Sequence, residues 1–468
     1  MSKRRTLLLL WSLITLDSIT PQQISFRPTS SQRQSGGIAQ HQQIHPDLSS
    51  HECTGSGHLG LLCLFHNLVL WQKQFYYISS EEISIPEVRE GWHLSWHPRG
   101  EAMLPEHVTV ISPSALPWEH EQGIQTEYLD QALIYNWLDQ GNMFHQMMEA
   151  GNFIYATACR LLDACTHDTS HYQLFATAYF EFANDNGLPA AHESLKCLSS
   201  KMPRSIEDPY WDDQVVVIGK TAVGLGGHCN ESEHEDKLQC EWDSISYMQN
   251  EYTSGHRQLL LDCLGVTDES SKPSQQQTKV TIVQRLLSKG RSMLNVLEME
   301  SAIAATGAEV QIVNMEGKTL QQQAELLAHS HVYILVHGAA MALYMFLPKH
   351  AAIIEIQHHY AHSAVYPSDM HQRTVTRYNM DYHHELLISQ KSTDISLQKE
   401  KVLKDEVYQK LTSAEQLQLW EQGLCPGEKD DKLQQHCVQH WIFLAGNMVV
   451  DLEALKAAYH RAWQSLPS

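Results

Sequence analysis

The second half of the chain alternates short apolar runs with segments of helical length. The runs are rich in Val and Ile and occupy residues 280–283, 310–313, 332–336 and 352–356. Strict alternation of strand and helix is typical of a parallel sheet that is covered by helices on both faces. Ligands of such sheets bind outside the carboxyl ends of the strands. We therefore predict an α/β fold with a binding site at that edge of the sheet.

The third apolar run ends in a turn of small residues, His-Gly-Ala-Ala at 337–340. A buried strand that ends in such a turn and opens a helix directs backbone N–H groups towards an anion. Gln284 and Arg285 follow the first run, and Glu355 lies near the end of the fourth. Because parallel strands end at the same edge, we expect these residues to converge on one crevice.

Two arginines lie close to this edge in the sequence. Arg285 follows the first run, and Arg291 and Asn295 are four residues apart, so they share a face of the next predicted helix. Guanidinium groups bind phosphate oxygens through charge-assisted hydrogen bonds. The pattern indicates a clamp for a diphosphate. The alternative is that both arginines are solvated on a basic helix surface, as most arginines are.

Length and charge restrict the class of protein. A chain of 468 residues exceeds one ordinary hydrophobic core, so we expect two domains with tails. The formal net charge is −21, from 54 acidic and 33 basic side chains, which argues against nucleic acid as a partner. Any phosphate must then be bound by a local basic cluster.

The amino terminus has the pattern of a targeting segment. Lys3-Arg4-Arg5 precedes an apolar run at 6–16, which is typical of a signal peptide and too short for a confident membrane span. A retained signal anchor is the alternative. Residues 21–50 are rich in Gln, Ser, His and Pro and predict a flexible stem. We expect a protein of the endoplasmic reticulum or Golgi lumen.

The ten cysteines fit that compartment, where disulfides form. Connectivity cannot be deduced from the sequence, but three pairs are spaced to close local loops. They are Cys53 with Cys63, Cys229 with Cys240, and Cys425 with Cys437. No C-x-x-C pair occurs, so zinc ribbons and thioredoxin-like chemistry are not supported.

Composition divides the chain into six segments. In the first half, strands are predicted at 108–112, 132–136 and 215–219, with an apolar helix at 144–162. The segments are a signal peptide or anchor at 1–20, a stem at 21–52, a first α/β domain at 53–267, a linker or loop at 268–279, a second α/β domain at 280–390 and a helical segment at 391–468. In the last segment, Leu452, Leu455, Tyr459 and Trp463 share one helical face, so this helix should pack back on a domain.

Over about residues 280–356 the chain resembles family 61 glycosyltransferases. The shared pattern is an arginine after a strand, then a second arginine and an asparagine, a strand that ends in His-Gly-Ala, and an apolar run that ends in glutamate. Here the matching residues are Arg285, Arg291, Asn295, His337, Gly338, Ala339 and Glu355. The resemblance implies that they bind a nucleotide-sugar donor. His337 is expected to contact the donor phosphate or to orient the turn, and Glu355 to accept from ribose hydroxyls.

The first half resembles, more thinly, the protein O-linked-mannose N-acetylglucosaminyltransferase branch of that family. An Asn-x-x-His helix start with a later acidic residue matches Asn142, His145 and Glu149, and Asn136 precedes it. The two asparagines are expected on the acceptor side. Because His145 and Glu149 lie one helical turn apart, we predict that this pair activates the acceptor hydroxyl. The alternative is that His145 caps the helix and Glu149 is solvated.

The resemblance implies two facing Rossmann-like domains, the GT-B type of glycosyltransferase fold. The donor would bind the second domain, the first would present the acceptor, and transfer would invert the anomeric carbon. The favoured reaction moves N-acetylglucosamine from its UDP-sugar to a protein-linked glycan or side-chain hydroxyl. The alternatives are UDP-xylose or arabinose transfer to an N-glycan or polysaccharide, and a non-catalytic glycan-binding relative.

No metal or further cofactor is expected. No Asp-x-Asp follows a predicted strand, so arginines and backbone amides would bind the diphosphate instead. Histidines are numerous, and His358 with His362 could share a helix face. A zinc site needs three or four ligands, so a solvated His-rich loop is the favoured interpretation.

Overall fold

The computed structural model describes about half of the chain. The described residues are 47–55, 61–88, 104, 107–121, 123–135, 143, 145–166, 168, 170–177, 189–224, 252–267, 278–287, 290–357, 382–390, 412–414 and 447–466. The predicted signal segment, most of the stem, most of the linker, Asn136, Asn142, His358, His362 and four of the ten cysteines lie outside them.

Eight strands form the first sheet. They are β1 (Ser50–Thr54), β2 (Leu62–Trp71), β3 (Gln74–Ile78), β4 (Val108–Ile111), β5 (Gln125–Tyr135), β6 (Gln173–Ala176), β7 (Arg204–Ser205) and β8 (Gln214–Gly224). Their order is β4-β3-β2-β8-β5-β6-β7, with β1 on β2. The predicted strands at 108–112, 132–136 and 215–219 are confirmed, although two of them are longer than expected.

This sheet is mixed, because β2 pairs antiparallel with β1, β3 and β8. Strands β2 and β3 were not predicted from the sequence. Gln72 and Lys73 between them have φ of 45° and 67°, the left-handed conformation of a tight hairpin turn. Neither residue is one of the usual turn formers, so the hairpin carries no clear sequence signal.

Five strands form the second sheet. They are β9 (Lys279–Val283), β10 (Glu309–Val313), β11 (Val332–Val336), β12 (Ala352–Gln357) and β13 (His383–Ile388). The order is β10-β9-β11-β12-β13, and every pairing is parallel. The four predicted strands are confirmed, and β13 was not predicted. Alternate residues of β11 point into two different apolar clusters, so both sheet faces are covered.

The helices lie between and beside the sheets. They are a π-helix at His145–Gly151, α-helices at Asn152–Leu162, Pro189–Leu198, 252–264, Val296–Ala304, Leu320–Leu327 and Leu452–Ser465, and 3-10 helices at Pro117–His120, Pro209–Trp211 and Ala339–Phe346. The apolar helix predicted at 144–162 is confirmed from residue 145 onwards, but its first part is wound as a π-helix. No helix among the described segments is both long enough and apolar enough to span a membrane.

One apolar cluster joins the helices of the first half to the second sheet. Met147 and Met148 of the π-helix and Leu260 of helix 252–264 pack in the same cluster as Tyr333 and Leu335 of β11. All five side chains are buried. This continuous core holds the π-helix against one face of the second sheet.

The final helix packs on the opposite face of that sheet, as its spacing predicts. Leu455 and Tyr459 are buried against the strands, with Ala458 and Ala462. Trp463 is 39% exposed, contrary to prediction. The buried face is centred on residues 455 and 462, and at 100° per residue Trp463 lies at its margin. Arg461 fixes the helix to β13 by donating to both carboxylate oxygens of Glu385.

The structure contains three disulfides among the described residues. Cys53–Cys63 is one of the predicted local pairs. Cys159–Cys165 and Cys197–Cys263 were not predicted. The latter joins helices Pro189–Leu198 and 252–264 across 66 residues, a separation that sequence spacing does not reveal.

Candidate functional site

The candidate site lies where the strand order of the second sheet reverses. The chain runs from β9 outwards to β10 and then crosses to β11 on the other side of β9. Such a reversal opens a crevice at the carboxyl ends of the two central strands, where ligands bind in open α/β sheets. In the parallel register Val283 pairs with Leu335, so the residues after β9 and β11 are neighbours. The predicted convergence of Arg285 and His337 at one edge is confirmed.

Side-chain hydrogen bonds hold the loop after β9. Gln284 donates from Nε2 to the Met293 carbonyl over 3.0 Å and accepts at Oε1 from the Met293 N–H over 3.1 Å. Ser292 donates from Oγ to the Arg285 carbonyl over 2.9 Å. These bonds tie both ends of the loop together and present Arg285 and Arg291 at the mouth of the crevice.

Arg291 and Gly338 face each other in unusual backbone conformations. Arg291 has φ of 55°, in the left-handed region, and its Nη1 donates to the His337 carbonyl over 3.0 Å. The prediction that Arg291 and Asn295 share a helix face is wrong, because the helix begins only at Val296. Gly338 has φ of 150° and ψ of −165°, a combination essentially confined to glycine. A Cβ at Gly338 would lie 2.6 Å from Arg291 Nη1. Only glycine therefore lets this guanidinium lie against the turn.

Arg285 is half-buried at the same mouth. Desolvation lowers the pKa of its guanidinium from the usual value, and the nearby Glu316 carboxylate opposes that shift. No hydrogen bond joins this guanidinium to another described side chain. A partly desolvated cation interacts more strongly with an anion than a solvated one, because the local dielectric constant is lower.

His337 rests on a buried carboxylate. Glu355 is fully buried, and its Oε1 is hydrogen-bonded to His337 Nδ1 and accepts from Gln357 Nε2 over 3.1 Å. Its Oε2 is 3.0 Å from Nε2 of His384, a side chain that is 3% exposed. This position does not favour the predicted contact of Glu355 with ribose hydroxyls. The carboxylate instead fixes the ring of His337 from beneath.

The turn itself is held from the strand before it. Tyr333 of β11 is fully buried and donates from its hydroxyl to the Ala340 carbonyl over 3.0 Å. Burial raises the pKa of this phenol, so it stays protonated and keeps the bond. Ala339 begins the 3-10 helix after the turn, which confirms that the strand ends in a turn and a helix.

Asn295 is engaged with the main chain of the carboxyl-terminal segment. Its Nδ2 donates to the Val450 carbonyl over 2.8 Å, and its Oδ1 accepts from the Val450 N–H over 2.9 Å. Ser292 N–H likewise donates to Oδ1 of Asn447 over 3.1 Å. These bonds anchor residues 447–450 to the segment that carries Arg291 and Asn295. They account for the position of the Asn295 side chain without the predicted contact to the donor.

The predicted acceptor-side pair lies on the π-helix, although the side chains of His145 and Glu149 are outside the described part. The helix packs through Met147 and Met148 against the 3-10 helix Ala339–Phe346, which begins at the Gly338 turn. The backbone that carries the pair therefore packs against the helix that follows the predicted donor turn. π-helical turns are rare and frequent at functional sites.

Three supporting residues were missed by sequence reasoning. Tyr333, Gln357 and His384 contact the turn or Glu355 rather than a ligand. No sequence signal indicated that β13 would place His384 on Glu355. Among the described residues, no group of three or more metal-ligating side chains has the arrangement of a metal site.

Part of the chain matches the model of a known family. A family model described as glycosyltransferase 61 matches residues 230–354, about a quarter of the chain. The matched range contains both arginines, Asn295 and the His337-Gly338-Ala339 turn. No curated protein matches the chain.

Proposed function

We propose that this chain, a family 61 glycosyltransferase by its matched region, transfers a sugar from a UDP-sugar donor to a protein-linked glycan or side-chain hydroxyl. The family accounts for glycosyl transfer as the class of reaction. The proposal adds the donor, the acceptor and the residues that bind them. N-acetylglucosamine is the donor sugar we favour, from the resemblance of the first half to the N-acetylglucosaminyltransferase branch.

The observation that carries the proposal is the arginine pair at the strand-order reversal. Arg285 and Arg291 lie on a loop held by Gln284 and Ser292, opposite the turn at Gly338. In a chain with net charge −21, two arginines concentrated at one crevice indicate a specific anion site. Guanidinium groups match the oxygens of a diphosphate, and they would stabilise the charge that develops on UDP as it leaves.

Glu355 has a positioning role in this proposal. Its bond to Nδ1 of His337 fixes the plane and the tautomer of that ring. A neutral histidine whose Nδ1 carries the proton has an acceptor nitrogen at Nε2, whereas a protonated ring donates from both nitrogens. The Nε2 nitrogen of His337 must therefore carry a proton in order to donate to a donor phosphate.

The acceptor side would be formed by the first half of the chain. Two facing Rossmann-like domains would place the acceptor opposite the donor crevice, and His145 with Glu149 would remove the proton from its hydroxyl. The packing of the π-helix on the helix that follows Gly338 supports this arrangement. Inversion requires the base on the face opposite the leaving group. Asn136 and Asn142 would bind the acceptor, and the amino-terminal segment would direct the protein to the endoplasmic reticulum or Golgi.

The test of the function is UDP release by purified protein. The full chain would be incubated with a panel of UDP-sugars, with and without glycopeptide acceptors. Acceptor-dependent release with one sugar would establish transfer and identify the donor. If no sugar gives release and UDP does not raise the melting temperature, binding of donor is absent and the proposal is wrong, because any ligand of the native state stabilises it.

Arg285→Ala tests the diphosphate clamp. We expect UDP affinity to fall by about 1.5–3 kcal/mol, roughly 10- to 150-fold, because a charge-assisted hydrogen bond is lost. Isothermal titration with UDP measures the effect. The control is Arg204→Ala, since Arg204 donates to Asp208 and lies over the Tyr210 ring, away from the second sheet. Equal UDP affinity in Arg285→Ala and wild type would contradict the clamp.

Chelation tests how the diphosphate is neutralised. We expect UDP release to persist in EDTA, because arginines and backbone N–H groups supply the positive field in the proposed site. Rates would be measured after dialysis against EDTA and after return of Mn²⁺. Complete loss of activity, restored by Mn²⁺, would show that the arginine pair is insufficient.

A further inference from the structure

His256 is a buried histidine that the proposed site does not use. It lies on helix 252–264, is fully buried, and its ring stacks on Tyr155 with centroids 5.7 Å apart. A Cβ at the preceding Gly255 would lie 2.3 Å from the Tyr155 hydroxyl oxygen, so glycine makes room for the stacked ring. Burial lowers the pKa of His256 to about 3, so the ring is neutral at physiological pH.

The hydrogen bonds around Asn152 define the tautomer of this ring. Asn152 donates from Nδ2 to the Met148 carbonyl over 2.5 Å, so its Oδ1 is the atom that faces His256. Nδ1 of His256 lies 2.6 Å from that oxygen. Because a carboxamide oxygen only accepts, Nδ1 must carry the proton. Nε2 is then an acceptor, and it has no hydrogen-bond partner among the described residues.

Asn152 is the first residue after the π-helix, and Met148 is within it. The backbone of a π-helical turn is bonded five residues apart, and the Asn152 amide adds a side-chain donor to one carbonyl of that turn. The result is a continuous path from His256 through Asn152 to the backbone of the segment that carries His145 and Glu149.

The next residue of the helix reaches the donor side. Arg257 is 7% exposed and donates from Nη2 to the Leu347 carbonyl over 2.9 Å. Leu347 directly follows the 3-10 helix Ala339–Phe346. The disulfide Cys197–Cys263 fixes the other end of helix 252–264. His256 thus reaches the π-helix through Asn152, and the adjacent Arg257 holds the residue that ends the 3-10 helix after the donor turn.

We infer that His256 is a positioning residue, which acts through Asn152 to set the distance between the π-helix and the 3-10 helix that follows the donor turn. The inference rests on the proposed function, because that function gives the two segments their roles. The ring does not touch donor or acceptor. Its loss should therefore change the rate of transfer while UDP binding stays the same.

Two variants of His256 separate positioning from packing. The side-chain nitrogen of asparagine occupies nearly the place of Nδ1, whereas that of glutamine lies nearer the place of Nε2. His256→Asn therefore keeps the donor to Asn152 but leaves the larger cavity. His256→Gln fills more volume but moves the donor away. If His256 acts by positioning, His256→Asn should have the higher kcat of the two variants. If it acts by packing alone, His256→Gln should have the higher kcat.

The measurements are kcat, the dissociation constant of UDP, and hydrogen exchange of residues 145–151 in the full chain. We expect His256→Gln to lower kcat roughly 10- to 100-fold, since small displacements of reacting groups have effects of this size. His256→Asn should retain most of kcat, and UDP affinity should be equal in all three proteins. Equal kcat in the two variants, or a higher one in His256→Gln, would overturn the inference.

Two further measurements keep the inference testable. If wild-type protein releases no UDP from any sugar, the proposed function fails, and hydrogen exchange alone tests the connection from His256 to the π-helix. Faster exchange at 145–151 in His256→Gln than in His256→Asn supports that connection. Equal exchange in the two variants refutes it. If His256→Gln does not fold, the double variant His256→Leu with Asn152→Leu removes both polar partners, which is often nearly neutral for stability. Wild-type kcat, or wild-type exchange at 145–151, in that double variant would refute positioning.

Discussion

Gly338→Ala should displace Arg291 from the turn and weaken UDP binding roughly 10- to 150-fold, the loss expected for a charge-assisted contact. The new Cβ would lie 2.6 Å from Arg291 Nη1, and the flexible arginine would have to move away from the His337 carbonyl. The backbone at φ of 150° adds strain, so we also expect a stability loss of about 1–3 kcal/mol. UDP titration and urea unfolding measure the two effects separately.

The matched control is Gly317→Ala. Gly317 also has positive φ, of 74°, but a Cβ there meets nothing within 4 Å. We expect this variant to lose about 1–2 kcal/mol of stability through left-handed strain and to bind UDP as wild type does. Combining Gly338→Ala with Arg291→Ala completes a double-mutant cycle. If the approach of Arg291 is the cause, the two losses of UDP affinity will not add; full additivity would contradict it.

Glu355→Gln should reduce both stability and transfer, because the carboxylate serves three neighbours in a fully buried position. Glutamine would keep one accepting oxygen and would present an N–H₂ group to His384 or to His337. If it faces His384, that ring must accept at Nε2 and carry its proton on Nδ1, which has no partner among the described residues. An unsatisfied buried donor costs about 1–3 kcal/mol. Urea unfolding measures this loss, and the ratio of kcat to KM for the donor measures the effect on His337.

Glu385→Gln provides a comparison within the neighbouring strand. Glu385 also contacts a histidine, His383, over 2.7 Å, and it accepts from Arg461 on the final helix. We expect its replacement to loosen that helix and leave the donor KM unchanged, since Glu385 does not contact His337. If Glu355→Gln and Glu385→Gln lower donor binding equally, the positioning role of Glu355 is wrong and both act through the sheet.

The elements of the second sheet could be predicted because their signals are local. Val and Ile runs specify β9, β10, β11 and β12, and the small residues after β11 specify a turn that opens a helix. Parallel strands share one carboxyl edge whatever their order. For that reason the convergence of Arg285 and His337 followed from the pattern alone. The amphipathic spacing of the final helix likewise predicted which of its residues are buried, except for Trp463 at the margin of the buried face.

The roles of individual side chains could not be predicted at that level. Glu355 ends an apolar strand, which is compatible with a ligand contact, and only its burial beneath His337 and beside His384 shows that it supports the turn. Asn295 has helical spacing from Arg291, yet its amide binds Val450, 155 residues away. Such contacts depend on which segments the complete fold brings together, and no local periodicity encodes them.

The sequence by itself determined four of the five strands of the second sheet, the final helix, the glycine turn and the presence of two arginines near it. Backbone conformation and side-chain periodicity are encoded within one or two turns of chain. Only the tertiary structure decided the order β10-β9-β11-β12-β13, the antiparallel pairing of β2, and the path from His256 to Asn152 across 104 residues. Bringing distant segments together costs loop-closure entropy, which is compensated by packing of the whole core. The partners that result are a property of that core as a whole and of no single segment.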